Sequence, residues 1–547
     1  MSRFVRASKY RHVFGQPAKK EYNIENIKVT NSAWDTNVIS VSAKYLSVNW
    51  NASGGGAFAI LPLPTPFAPI SGSFPSKLPD TLPIARSHTA PVLDTDWSPH
   101  NDSIVASAGE DGNVFIWKVE SSEFDGWGEE GWVPQDFDPV AKIVASPRKI
   151  GQVVFHPTAN MVLASASGEH TVKLWDLDNT DSPKSTLVGH NDTIQSIAFN
   201  PTGTLLATTC RDRKLRLFDP RAGSDAVRVA DGHGGVKGSR VTFMGDHDRI
   251  ATTGFSKMSD RQVGIWDSGS LNSIKMTVLD QSAGVVMPFW SDNNILFLAG
   301  KGDGNIRYYE YESDALFALD EHKSTDPQRG MCFLPRRALN VSECEIARAY
   351  KIFGNTIESI AFKVPRRADS FQSDIFPPAP SYEPSLSASE FFSGKEIKRK
   401  LVSLDSGETT TSSTAAAAPP SALSSPVPPA AAAPAAVSAA PAPSPLSPPP
   451  FTPTSAAVST PTSANPISRS VSESVAHAPI RSQTVPSSSS GSGDDAALKR
   501  ENDKLKSENA RLTEELRDAR EKMRNLELQV ESVRANARKA AQALLDG

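Results

Sequence analysis

Histidine, hydroxyl and carboxylate side chains recur in this sequence at matched spacings. His88 precedes Ser107, Asp111 and Trp117; His190 precedes Thr209 and Asp212, with Phe218 where the first copy has tryptophan; His233 opens a third, weaker copy. An imidazole near a carboxylate can serve as a catalytic base, and imidazoles with carboxylates can hold a metal. Recurrence argues for a third role. A catalytic set is needed once, whereas a set that returns with every copy of a repeat serves the repeat. No G-x-S-x-G elbow, phosphate-binding P-loop or HExxH pair occurs, and Gly300–Gly304 lacks the P-loop spacing. Neither an enzyme nor a bound cofactor is expected.

The elements that carry these residues are short strands. ASAGEDGNVFIW ends at Trp117, ASASGEHTVKLW at Trp175 and ATTCRDRKLRLF at Phe218, with weaker copies ending at Trp266 and Tyr309. A period of roughly 45 residues suits a four-stranded propeller blade. VFIW, VKLW and LRLF are β-rich, and an acid six residues before each terminal aromatic (Asp111, Glu169, Asp212, Asp260, Asp303) suits the tight turn ahead of the strand. A longer first gap holds Phe124–Asp138, read as a surface loop. Two further blades are needed to use the first ~365 residues, and a ring must leave no sheet edge open. The expectation is an all-β, seven-bladed propeller over 1–365, with a strand near Lys9–Phe14 completing the last blade. The pattern resembles the WD-repeat family, in which His, Ser/Thr, Asp and Trp link within each blade.

Beyond 365 the composition changes. Phe371, Ile375, Phe376, Tyr382, Phe391 and Phe392 mark 366–400 as an arm packed on the propeller. Residues 401–495 read as a disordered linker: 409–468 carries no charged side chain and is almost entirely Ala, Pro, Ser and Thr. Within it, Arg481–Pro486 fits an Arg-Ser-x-phosphoThr-x-Pro pattern, making Thr484 a phosphorylation candidate and a 14-3-3 protein a possible partner. Residues 496–547 read as a parallel coiled coil, with Leu498, Leu505, Leu512, Leu526 and Val533 at d and Leu516, Met523 and Val530 at a. Asn502 and Asn509 at a favour a dimer; Lys522–Glu527 resembles a trimer-specifying run, and the balance leans to a homotrimer.

Charge and composition narrow the classes further. A net charge of -4 over 547 residues gives no reason to expect nucleic acid. No run approaches the ~20 apolar residues of a membrane span. Three cysteines, Cys210, Cys332 and Cys344, make neither a disulfide framework nor a zinc set. The first 30 residues are basic (Arg3, Arg6, Lys9, Arg11, Lys19, Lys20 and Lys28 against Glu21 and Glu25), which fits contact with an acidic filament or surface.

SKYRHVFGQPAKKEYNIENIKVT, SGGGAFAILPL, TTGFSKMSDRQVGIWD, KGDGNIRYYE and QRGMCFLPRRALNVSECEIARAYK together resemble the coronin family over about residues 1–400. The resemblance implies a protein of cortical actin patches that binds actin filaments, bundles them, and engages the actin-nucleating Arp complex. Lys28, in NIKVT, matches the family's central basic actin-binding position; Lys19, Lys20 and Arg86 are neighbours by charge. The competing expectation is a generic WD-repeat and coiled-coil scaffold for trafficking or ubiquitin-ligase assembly.

Overall fold

The computed structural model describes residues 6–33, 36–63, 77–127, 131–367 and 370–411, and then 506–507, 510–511, 514 and 517. Among the described residues up to Thr411, the regular structure is almost wholly antiparallel strand, with one short α-helix, Ala388–Phe392. Six sheets have four strands each, and one, formed by both ends of the repeat region, has five. They follow in chain order. The first runs from strand Ile39–Val41 to Ile84–His88, the second from Val92–Trp97 to Pro139–Val144, and the third from Ile150–Phe155 to Ser185–Leu187. The fourth runs from Ile194–Phe199 to Arg228–Asp231, the fifth from Arg240–Phe243 to Ser273–Asp280, and the sixth from Val286–Ser291 to Ala315–His322. The seventh contains Gly330–Phe333, Glu345–Phe353 and Thr356–Lys363.

The opening strand of each sheet is innermost, and neighbouring inner strands touch, including Gly330–Phe333 against Ile39–Val41. This is a β-propeller. The strands are buried on both faces because each sheet is sandwiched between two others. That is why Val114, Phe115, Ile116 and Trp117 run without polar alternation, all at most 4% exposed. Every sheet-to-sheet junction holds its own apolar cluster. Trp117 with Phe58 and Ile60 fills the first junction, Trp175 with Val114 and Ile150 the second, and Phe297 with Phe362 and Met331 the sixth.

The ring closes through the N-terminal segment. Phe14–Pro17 pairs antiparallel with Thr356–Lys363, with Phe14 opposite Lys363 and Pro17 opposite Ile360, and Ile24–Glu25 pairs with the same strand. The closing strand therefore starts at Phe14 rather than near Lys9. Tyr10 and Val13 are drawn inward instead, 2% and 0% exposed, into the cluster between the sixth and seventh sheets.

Two expectations are corrected. The 124–138 insertion is no simple surface loop: Phe124 stacks on Tyr45 and on Trp127, with ring centroids 5.7 and 5.8 Å apart, and Trp127 is only 4% exposed. The boundary at 400 also moves. Ile375, Phe376 and Phe391 are buried against the propeller, whereas Tyr382 is 55% exposed. The segment then continues as a three-stranded sheet, Ala379–Pro380, Lys400–Val402 and Thr409–Thr411. Residues 400–411 thus pair in strands, and the extension ends no earlier than Thr411. Thr484 and the seam positions Leu498, Leu505, Leu512, Leu516, Met523, Leu526, Val530 and Val533 lie outside the described residues. Lys506, Ser507, Ala510, Arg511, Glu514 and Arg517 are helical and exposed.

Candidate functional site

The His–Ser–Asp–Trp set of the second sheet is a continuous hydrogen-bonded chain. His88 Nδ1 lies 3.0 Å from Asp111 Oδ1, His88 Nε2 2.8 Å from Ser107 Oγ, and Trp117 Nε1 donates to the same Oγ at 2.9 Å. Burial alone would raise the Asp111 carboxyl. The hydrogen bond and charge of His88, with the backbone N–H groups of Asn113 and Thr89, outweigh it, and its pKa falls well below the usual range. Asp111 also starts the turn that needs Gly112. There φ is +76°, and a Cβ would sit 2.0 Å from the Ser146 carbonyl oxygen.

The fourth-sheet set differs from its expected form. His190 Nε2 bonds Thr208 Oγ1 at 2.9 Å, not Thr209. Thr209 lies on the opposite pleat and donates to the Ser239 carbonyl at 3.1 Å. Asp212 does not reach His190. Its carboxylate takes both guanidinium N–H groups of Arg216, at 3.0 and 2.6 Å, while His190 Nδ1 donates to the His170 carbonyl at 3.1 Å. Burial, then repulsion by Arg216, pushes His190 down to about 4. Such an imidazole is neutral at pH 7 and serves as a fixed donor–acceptor rather than a base poised near neutrality.

Related sets exist that sequence spacing had not resolved. His233 Nε2 and Trp266 Nε1 meet at Thr252 Oγ1, at 2.9 and 2.7 Å, with Gln262 in the carboxylate's place. In the third sheet Ser146 stands where a histidine would, donating to Glu169 at 2.8 Å, while Trp175 donates to Ser165 at 2.9 Å. In the fifth and sixth, Arg261 links Asp280 and Asp303, each at 2.6 Å. Among the described residues no group of three His, Cys, Asp or Glu side chains converges as a metal site.

Inner strands are laced to their neighbours by side chains. Asp94 accepts the Val153 N–H at 3.1 Å, Asp96 the Phe155 N–H at 2.8 Å, and Gln152 the Ile197 N–H at 2.9 Å. Burial pushes Asp94 up to about 8 and Asp96 up to about 7. Both are half-buried on the inner strand Val92–Trp97.

The basic residues named from the sequence lie around the junction of the seventh and first sheets. Lys19 precedes and Lys20 opens a 3-10 turn, Lys20–Tyr22, just after the closing strand, and both are exposed. Lys28 follows on a segment held to the first sheet by its carbonyl, which accepts the Asn51 N–H at 2.6 Å. Lys28 Nζ sits 3.4 Å from Asp80 Oδ1, with side chains 43% and 85% exposed. Arg86, on the outer strand Ile84–His88, pairs with Asp136 at 3.4 Å. These are solvated pairs of small worth, whose bases remain available to another anion.

Family models match three parts of the chain. The Domain of unknown function (DUF1899) matches residues 3–67, the WD domain, G-beta repeat matches 80–118, 138–176 and 181–219, and a type of WD40 repeat matches 357–398. The coronin-like protein crn1 of Schizosaccharomyces pombe is 50% identical over 408 residues, covering 74% of this chain. That match spans 65% of the yeast protein, just under two thirds of its length. Coronin-A of Dictyostelium discoideum is 42% identical over 74% of this chain and 87% of its own. The crystal structure of the WD40 domain from Toxoplasma gondii coronin superposes with a TM-score of 0.64 at 28% identity, covering 72% of this chain and 98% of that one.

Proposed function

The chain belongs to the coronin family, and from that membership we propose that it is a non-enzymatic, actin-filament-binding regulator of the cytoskeleton. The supporting observation is the exposed Lys28, displayed with Lys19, Lys20 and Arg86 on a rigid sheet junction. A filament with an acidic surface would be drawn to it and would compete with Asp80 and Asp136. The His88 and His190 networks are the framework of this reading rather than its site. His88 ends the strand that carries Arg86, and the His190 network holds the fourth sheet. Each of the seven sheets is taken as one blade.

The finer proposals rest on the rest of the chain. Residues 496–547 assemble propellers through a parallel coil, so that one particle bundles or cross-links filaments, and the C-terminal part contacts the actin-nucleating Arp complex at cortical patches. Thr484, once phosphorylated, is proposed as a 14-3-3 site. Co-sedimentation of the full chain with actin filaments tests the central reading. Pelleting that saturates and weakens with salt is expected. A folded full-length protein that stays in the supernatant at low salt overturns it.

A further inference from the structure

Away from Lys28, the loops of the third, fourth and fifth sheets hold a second basic surface. The loop entering each inner strand and the loop joining the second and third strands of a sheet lie at the same end of the ring. Arg148 and Lys149 precede Ile150–Phe155, Lys237 precedes Arg240–Phe243, Arg211 and Arg213 lie between Leu206–Cys210 and Lys214–Phe218, and Lys257 lies between Arg249–Phe255 and Arg261–Asp267. All six are exposed. Among the described residues, none of the six forms an ion pair within 4 Å; the Lys237 Nζ sits 4.8 Å from the centroid of the Phe255 ring, and Arg213, after Lys214, contributes to lowering the Asp231 carboxyl.

Most acids of the same loops are already held, while Asp192, ahead of Ile194–Phe199, accepts the Thr193 N–H. Glu169 takes Ser146 and Lys173, Asp212 takes Arg216, Asp231 takes Lys214, and Asp260 takes Ser256 and Gln281. Asp192 and Asp260 are met by uncharged partners, yet the six bases outnumber them, so a chain of net negative charge turns a net positive arc outward here. Two apolar tips stand within it. Val236 is 66% and Met258 84% exposed, and each has a lysine as neighbour, in GGVKG and SKMS. The two loops touch: a Cβ on Gly234 would lie 2.9 Å from Lys257 Cγ.

Single exposed apolar residues are ordinary. Two on touching loops, each beside a lysine and inside an arc where bases outnumber acids, are a different pattern. A protein partner would need a matching pocket for each projecting tip. The interfacial zone of an anionic bilayer accepts short apolar side chains without shape matching, while its headgroups attract the flanking bases. We propose that this arc is a membrane-docking surface, in which Val236 and Met258 enter the interface of an anionic leaflet and Arg148, Lys149, Arg211, Arg213, Lys237 and Lys257 meet its headgroups.

The test is flotation of the full chain with vesicles of phosphatidylcholine alone or with about 30% phosphatidylserine. Binding to the serine-lipid vesicles only, lost as salt rises, is expected. Val236→Asp with Met258→Asp, and separately Arg211→Glu with Lys257→Glu, should each reduce that binding by about tenfold, since both classes of contact contribute. Neither pair touches the Lys28 region, so filament pelleting should stay at the parent level, which also reports that the propeller is folded. The proposal is overturned if the full chain ignores serine-lipid vesicles, or if both pairs bind them like the parent. It is equally overturned if the pairs lose filament pelleting and keep vesicle binding, because the arc would then belong to the filament contact.

Discussion

His88 Nε2 and Ser107 Oγ lie 2.8 Å apart, and this contact fixes the direction of every proton in the second sheet's network. Trp117 Nε1 can only donate, so Ser107 accepts from it and gives its own proton to His88 Nε2. His88 then carries its hydrogen on Nδ1, aimed at the Asp111 carboxylate. Removing the one hydroxyl leaves two buried groups unpaired.

Ser107→Ala should therefore cost about 2–4 kcal/mol, with one unsatisfied group on each side of the gap. Ser165→Ala is the matched control. Ser165 is equally buried and receives only the Trp175 N–H, so its loss should cost about 1–2 kcal/mol. Thermal unfolding of the two variants checks the order; equal losses would mean that His88 gains nothing from the hydroxyl.

The inner-strand acids make stability fall on the alkaline side. Asp94 and Asp96 are raised from 3.8 to about 8 and about 7, so the folded state holds their protons more tightly than the unfolded chain does. That contribution is complete below ~4 and lost as pH climbs through 7 and 8. His190 and His233, lowered by burial, act only as pH falls below ~6.5. Between pH ~6.5 and ~9 the melting temperature should decline by a few degrees. Asp94→Asn with Asp96→Asn, which keeps an acceptor for the Val153 and Phe155 N–H groups, should flatten the decline. A parent profile already flat over that window would count against it.

Asp80 should restrain filament binding. Its carboxylate, lowered by hydrogen bonds from Asn26 and then Lys28, spends part of the Lys28 charge. Lys28→Asp should weaken pelleting by about tenfold or more, and Asp80→Asn should strengthen it by about two- to fivefold at low salt, as expected for one exposed pair. Asp80→Asn binding like the parent would show that Lys28 is not the contact.

A chain ending after Thr411 keeps the whole three-stranded extension and lacks the coil. It should be monomeric, bind filaments weakly and fail to bundle, because linked propellers make the second contact intramolecular. Sedimentation equilibrium on residues 490–547 should give a trimer mass. A clean dimer would instead assign the register to Asn502 and Asn509. Bundling by the truncated monomer would remove the coil from the mechanism.

The repeat made much of the propeller legible. Each VFIW-like strand and its turn acid could be read because the motif returns. The Thr209 assignment failed where the same repeat could have corrected it. Ser107 and Ser165 each stand ten residues before their tryptophan, and that spacing before Phe218 gives Thr208. The Thr252–Trp266 pair stands fourteen apart and escaped the rule, because its turn is longer. Asp94, Asp96 and Arg261 were illegible for another reason. The partners of Asp94 and Asp96, and the Asp303 partner of Arg261, lie in neighbouring sheets, and no local period reports which strand will stand beside which. The 400–411 strands were hidden by their Ser and Thr content, which reads as linker until Val402 and Thr409 are seen to pair.

Closure by Phe14–Pro17 has a consequence for the time course of synthesis. The strand that completes the seventh sheet is made before its partner, Thr356–Lys363, with six sheets translated between them. At ~5–20 residues per second the first strand waits tens of seconds with its ladder groups unsatisfied. Throughout that interval the nascent chain is an open row of sheets with an apolar sheet face uncovered at each end, and those faces can pack on any other unfinished chain on the same message. Folding yield in cells should therefore depend on what shields the first residues during elongation more than on the stability of the finished ring.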